Sequence, residues 1–180
     1  MRYTACVGHW TVLTPFPGLF LHLAATERGV CALSFVESTN EFLLQQARTT
    51  GDQDWERDAS PLIDLARLQL NEYFAGKRSR FEVPLDLRGT PFQEKVWRAL
   101  LDIPYGETRT YAQIAAQIGS PSAVRAVGAA NGANPVAIIV PCHRVVATGG
   151  GLGGYGGGLE IKKRLLALES GAGDSLFDHP

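Results

Sequence analysis

The sequence predicts an α/β (α+β) protein: a small N-terminal sheet-and-helix domain, then a mainly helical domain with a helix-turn-helix and a loop that carries a cysteine. Three observations lead there. Before residue 60, short runs rich in β-branched and aromatic residues are cut by Pro- and Gly-containing turns. After residue 90, two Thr-x-x-Gln capping boxes open apolar runs with helical spacing. The charge balance also changes between the halves, with 8 Lys/Arg against 11 Asp/Glu in residues 1–87 and 9 against 5 in residues 88–170.

Taken in order, Trp10–Thr14, Leu19–Thr26 and Val30–Val36 read as strands, separated by turns at Pro15–Gly18 and Glu27–Gly29. Thr49–Asp58 is polar and reads as a loop. Ser60 then caps a helix with Pro61 at its first position, Leu62, Leu65, Leu68 and Phe74 on or near one face, and Gly76 as its stop. The apolar pattern breaks at Pro84–Gly89, which places a boundary between a domain 1–87 and a domain 88–170. Thr90-Pro91-Phe92-Gln93 opens the next helix, with Phe92, Val96, Leu100 and Ile103 at helical spacing as far as Pro104-Tyr105-Gly106. Thr110-Tyr111-Ala112-Gln113 opens a short helix through Ile118, and Ser120 with Pro121 starts a third through about Asn131. Ile138–Val140 reads as a short apolar strand ending at Pro141. A glycine-rich stretch, 149–158, precedes a last helix, Leu159–Glu169, and 171–180 reads as a flexible tail.

The totals exclude several classes. A hydrophobic fraction of 45% argues against wholesale disorder. No apolar run approaches the roughly 18–20 residues of a membrane span, and the N-terminus lacks the apolar core and cleavage site of a signal peptide. A cytoplasmic protein with no membrane partner is the expectation. The three cysteines, Cys6, Cys31 and Cys142, are odd in number and form no closely spaced pairs, which suits a reducing compartment. Net charge is −1, but a basic half beside an acidic one can still meet phosphate, because the local field counts within about 8 Å at physiological salt.

Two short helices joined by a Gly-containing turn make a helix-turn-helix pattern, which by itself also fits ordinary helix packing. The third helix is nearly free of bulk: Ala123, Ala126, Gly128, Ala129 and Ala130 surround Arg125, its one long side chain. This suits either close helix packing with a solvated arginine, or a smooth helix pressed into a groove with one arginine projecting. Cys142 stands directly before His143. A thiolate needs a base or a positive charge to form at neutral pH, yet neighbours on an extended strand face opposite ways. A buried structural cysteine beside a surface histidine is the plain alternative.

The motifs taken together resolve more than any one of them. Gly89-Thr90-Pro91-Phe92-Gln93, Ile103-Pro104-Tyr105-Gly106-Glu107-Thr108, Arg125-Ala126-Val127-Gly128, Asn134-Pro135, Pro141-Cys142-His143-Arg144-Val145 and Gly153-Gly154-Tyr155 occur in one order. In this the chain strongly resembles the O6-alkylguanine-DNA alkyltransferases (methylated-DNA–protein-cysteine methyltransferases), closely over about residues 84–170 and only in layout before them. The resemblance implies DNA repair by direct reversal: irreversible transfer of an O6-alkyl group of guanine, and of O4-alkyl groups of thymine, to Cys142, once per molecule. It implies that His143 takes the thiol proton through a water, that Glu169 orients His143, that Tyr111 donates to the leaving base and that Asn134 braces the loop. Arg125, with Ser122, Ala123 and Gly128, would meet the minor groove of double-stranded DNA, Arg125 filling the space of a flipped-out nucleotide. Tyr155, the Gly156 N–H and Val145 would line the base pocket.

Two departures bear on this. Ala137 stands where some relatives have proline, which touches the tolerance for bulky adducts. Some relatives also hold a structural zinc near their N-terminus, but Cys6, His9, His22 and Cys31 are not spaced as a compact zinc site. Buried cysteines and surface histidines explain them more simply, so neither metal nor cofactor is expected, and one site within one chain suggests a monomer. The rival readings are an alkyltransferase-like binder, which would lack the cysteine, a Cys-His hydrolase, which would turn over esters or amides, and a redox-sensing transcriptional regulator, which would bind one operator.

Overall fold

The computed structural model describes residues 8–16, 19–36, 38–51, 54–57 and 60–171. Cys6, the end of the first predicted turn and almost all of the predicted tail lie outside them. The chain divides into two compact units, Met1–Arg88 and Gly89–Pro180.

In the first unit, β1 (Gly8–Phe16), β2 (Leu19–Thr26) and β3 (Gly29–Ser34) form an antiparallel meander, and β4 (Trp55–Arg57) joins β1 in parallel, giving the order β3-β2-β1-β4. From Leu21 to Thr26 both faces of β2 are buried. His22 and Ala24 face Phe42 of helix α1 (Thr39–Thr50). Alternation puts Leu21 and Leu23 on the other face, and helix α2 (Pro61–Phe74) packs across β1, β2 and β3. Gly29 adopts φ +150°, and a Cβ there would stand 2.5 Å from the Pro84 carbonyl oxygen, so only glycine lets Val30 N donate to that oxygen at 2.9 Å.

Three expectations for this unit need correction. Thr49–Asp58 is not one loop: Thr49 and Thr50 end α1, and Trp55–Arg57 is a strand, with the Arg57 guanidinium 5.4 Å from the Trp10 ring centroid. The helix signal is faint because α1 buries only Phe42 and Gln46, and its ends are set by the Ser38 cap and by Gly51 at φ 78°. The buried face of α2 is Ile63, Ala66, Leu70, Tyr73 and Phe74; of the predicted row only Phe74 is buried, since Leu62 is half-buried and Leu65 and Leu68 are exposed. Both rows have helical spacing, and only the sheet beneath decides between them. Finally, His22 is no surface histidine: it is 2% exposed, with Nε2 2.9 Å from Thr39 Oγ1.

The second unit follows its sequence signals more closely. Helix α3 (Pro91–Leu101) and helix α4 (Tyr111–Gln117) both carry complete capping boxes, from Thr90 with Gln93 and from Thr110 with Gln113. Trp97 of α3 is 2% exposed and donates Nε1–H to the Ala130 carbonyl at 2.8 Å, tying α3 to helix α5 (Val124–Gly132). After α4, Gly119 at φ 71° closes a Schellman motif, with Gly119 N donating to Ala116 O and Ser120 N to Ala115 O. This turn sets α4 against α5 as a helix-turn-helix.

The third helix, however, starts at Val124 and not at Ser120. Ser120–Ala123 is a turn closed by Ala123 N on Ser120 O, and Ala123 offers no side-chain cap. Nor is Ile138–Val140 a strand, because Ile138 turns the chain at φ 71°. Short strands β5 (Arg109–Thr110) and β6 (Val145–Val146) pair in parallel, and helix α6 (Leu159–Glu169) spans the predicted residues. Among the described residues no helix is long and apolar enough to cross a membrane.

The Thr90 capping box is expected to stabilise α3 measurably. Thr90→Ala should lower stability in urea unfolding by about 1 kcal/mol, and Thr90→Ser by only a few tenths. Equal losses in both variants would show that the cap is idle.

Candidate active site

The site is built on the turn 134–144. Ile138 has φ 71°, a left-handed conformation that strains a β-branched residue by about 1–3 kcal/mol. It is held by Ile139 N on Ala137 O at 2.8 Å and Val140 N on Val136 O at 2.9 Å. Asn134 braces this turn from both ends: its Nδ2 donates to Val140 O at 2.8 Å, and its Oδ1 accepts from Val136 N at 3.1 Å. The same Val140 carbonyl accepts from Cys142 N at 2.8 Å, so Asn134 and the cysteine backbone share one acceptor.

Cys142 then opens a 3-10 turn, Cys142–Arg144, rather than continuing a strand. Strand alternation therefore does not govern Cys142 and His143. Cys142 is 5% exposed, and Asn131 Nδ2 donates to its carbonyl at 3.4 Å. Burial pushes the thiol up from its usual range, opposed by a hydrogen bond from Asn134 and by the positive charge of Lys162. The resting group is a thiol.

His143 is fully buried, and its Nε2 lies 2.7 Å from Glu169 Oε1. Glu169 is also held by Arg144, through Nε to Oε2 at 2.8 Å and Nη2 to Oε1 at 3.0 Å, and by Gly106 N to Oε2 at 3.3 Å. Burial alone would raise the Glu169 carboxyl, but the hydrogen bonds and charges of His143 and Arg144 outweigh it and bring it down to about 2. An ionised carboxylate only accepts, which makes His143 an Nε2–H donor. Its Nδ1 is buried and has no hydrogen-bond partner among the described residues. Burial lowers the His143 pKa, against the upward pull of Glu169.

The remaining predicted residues surround this centre unequally. Tyr111, at the start of α4, lies against Gly128 and against the glycine loop, where a Cβ on Gly153 would meet its hydroxyl at 2.7 Å. Burial raises its pKa, and Cys142 raises it further once it is a thiolate. The Tyr155 hydroxyl is buried, and its ring stands edge-on to His143 with centroids 6.5 Å apart. Val145 is buried; Gly156 is exposed on the loop. Arg125, second residue of α5, and Ser122 are exposed, while Ala123 and Gly128 are half-buried. The geometry thus brings Cys142, His143, Glu169, Asn134, Tyr111, Tyr155 and Val145 into one region, and leaves Arg125 and Ser122 on the outer face of the helix-turn-helix.

Two participants went unnoticed in the sequence. Arg144 is 6% exposed, donates Nη1 to the Ile103 carbonyl at 2.6 Å and stacks over Tyr105 at 5.8 Å. Lys162 is fully buried, and its ammonium donates to the carbonyls of Val145, at 2.6 Å, and of Leu152, stapling β6 to the glycine loop. Lysine and arginine beside solvent-facing neighbours on a helix or loop read as surface charges. Arg144 at least adjoins the Cys-His pair in sequence, whereas Lys162 does not. Among the described residues no group of three or more His, Cys, Asp or Glu could hold a metal ion.

Fold and site define a two-unit protein whose helix-turn-helix unit houses a buried Cys142–His143–Glu169 cluster. Family models place it further: residues 14–87 match 6-O-methylguanine DNA methyltransferase, ribonuclease-like domain, and residues 91–171 match 6-O-methylguanine DNA methyltransferase, DNA binding domain. The methylated-DNA–protein-cysteine methyltransferase of Mycobacterium tuberculosis is 54% identical over 143 residues, covering 78% of this chain and 86% of the relative. The constitutive one of Bacillus subtilis is 55% identical over 118 residues, 65% of this chain and 72% of the relative. Among solved structures, the Mycobacterium tuberculosis O6-methylguanine methyltransferase superposes with a TM-score of 0.78 at 48% identity, over 95% of this chain and 99% of that one. A structure of the Mycobacterium tuberculosis protein in complex with DNA gives 0.77 at 47% identity, over 94% and 96%. The chain belongs to the methylated-DNA–protein-cysteine methyltransferase family.

The buried cluster predicts an acid limb in stability. Glu169 and His143 both have folded pKa values below their unfolded ones, so the unfolded chain binds more protons and stability falls as pH falls. The His143 contribution is present above 6.5 and is lost below it; that of Glu169 is present above 4.5 and is lost from there towards 2. Urea midpoints measured from pH 8 to pH 3 should fall in this window, and Glu169→Gln should flatten the part below 4.5. A Glu169→Gln curve parallel to the wild type would remove Glu169 from the account.

Proposed function

We propose that this protein repairs DNA by moving the O6-alkyl group of guanine, and the O4-alkyl group of thymine, onto Cys142, once per molecule. The observation that carries this reading is the arrangement at His143: Nε2 committed to an ionised Glu169 and Nδ1 left as the one nitrogen open to a proton, on the residue after a buried thiol. In this reading a water passes the Cys142 proton to His143 Nδ1. The Sγ attacks the alkyl carbon in line, an S–C bond forms and the C–O6 bond breaks. Charge developing on the leaving guanine is met by Tyr111, which donates a proton to the base and recovers one from His143, so the thiol proton ends on guanine. The thioether has no good leaving group, so Cys142 is not regenerated.

The target atom is out of reach inside a duplex, so the nucleotide is flipped out, which costs a few kcal/mol. Arg125, exposed near the start of α5, fills the gap from the minor groove, with Ser122, Ala123 and Gly128 allowing close approach. Phosphate contacts give sequence-independent affinity that weakens with salt. Tyr155, Val145 and the Gly156 N–H line the base pocket. The protein acts in the cytoplasm as a monomer, without metal or cofactor.

Intact-protein mass spectrometry tests the transfer. Incubation with a duplex carrying O6-methylguanine should add one methyl group, roughly 14 Da, to the wild type, mapped to Cys142, and none to Cys142→Ala. No gain with the lesion still bound would instead mean a damage-sensing binder. The flipping role of Arg125 is separable: Arg125→Ala should slow transfer from the duplex by roughly 10–100-fold and leave transfer from a free alkylated guanine base unchanged. Equal slowing on both substrates would take Arg125 out of flipping.

A further inference from the structure

Glu169 does not serve His143 alone. Its Oε1 accepts from both His143 and Arg144, and its Oε2 accepts from Arg144 again. The side chains of His143, Glu169 and Arg144 are 0%, 1% and 7% exposed. Arg144 cannot swing away, because the Ile103 carbonyl and the Tyr105 ring hold it on its far side. An imidazole facing a lone buried carboxylate gains by taking a proton, since the pair is then neutral. Here a guanidinium that does not deprotonate has already neutralised the carboxylate. A proton on His143 would therefore leave the cluster net positive and out of water.

We propose that Arg144 is a positioning residue for the transfer: by neutralising Glu169 it keeps His143 an uncharged Nε2–H imidazole, with Nδ1 open to a proton at neutral pH. What that proton does rests on the alkyl-transfer reading; the electrostatic arrangement does not. The groups that face His143 are consistent with it from every side. Glu169 and Lys162 come from α6, Cys142 and Arg144 from its own turn, and Tyr155 from the glycine loop. After burial, which disfavours the charged ring most, Glu169 is the group that favours it, and Arg144 and Lys162 oppose it. Arg144 thus turns what would be an ion pair into a base that stays available.

The test begins with the wild-type protein free of DNA. Nitrogen NMR of the His143 ring should show the Nε2–H tautomer at pH 7 and a protonation midpoint below the ordinary 6.5; a charged ring at pH 7 overturns the proposal. Arg144→Met should raise that midpoint by on the order of one pH unit, and move the acid limb of the methyl-transfer rate with it. Arg144→Lys, which keeps a positive charge, should hold both nearer the wild type. An unchanged midpoint in Arg144→Met overturns the proposal; if that variant does not fold, Arg144→Gln, which also removes the charge, is read the same way. Should the His143 midpoint rise as stated in Arg144→Met while the wild type transfers no methyl group, the alkyl-transfer reading fails and the role of Arg144 in setting the His143 charge stands.

Discussion

The carboxylate of Glu169, at the last turn of α6, collects four hydrogen bonds in a place almost closed to water: one from His143, two from Arg144 and one from the Gly106 backbone. Removing water from a charge costs several kcal/mol unless partners replace it, so these contacts fix the three segments that supply them relative to one another. The 104–107 turn, the 142–144 turn and the end of α6 are each short and have little core of their own. Tyr105 adds its hydroxyl to the Leu168 carbonyl, and a Cβ on Gly106 would stand 3.0 Å from the Glu169 carbonyl oxygen, so even the approach distance is set here.

A second buried charge performs the matching task on the other side of the cysteine. Lys162, one helix segment earlier on α6, satisfies carbonyls of β6 and of the glycine loop together. The glycine stretch is thereby attached at Leu152 rather than left to float, and Gly153 brings it onto Tyr111. One helix thus anchors both walls of the cysteine site, through a carboxylate at its end and an ammonium near its start. Polar groups buried this way contribute little net stability but penalise every arrangement in which they lose a partner.

The turn that presents Cys142 stores strain instead. A left-handed isoleucine is unfavourable alone, and Asn134, with two side-chain hydrogen bonds, is the group that holds it. The chain after α5 therefore reaches Cys142 through a tight turn, with the cysteine backbone hydrogen-bonded to the Val140 carbonyl.

Local chemistry made much of this legible in the sequence. Side-chain caps, Pro at first helical positions and Gly119 act within a few residues, so α2, α3 and α4 were readable, as was the order of motifs that carries the family resemblance. The Cys-His pair stood out by its own residues, while Glu169 and Asn134 became candidates only through the family resemblance. What the residues could not state is whatever depends on the partner surface. Which row of α2 is buried, that Trp55–Arg57 adds to a sheet and that α1 exists on the strength of Phe42 were decided by packing across long sequence separations. The same holds for Arg144 and Lys162. A charged side chain carries no sign in its sequence of whether it meets water or a buried acceptor, and only the tertiary fold brings Glu169, Ile103 and Leu152 to them.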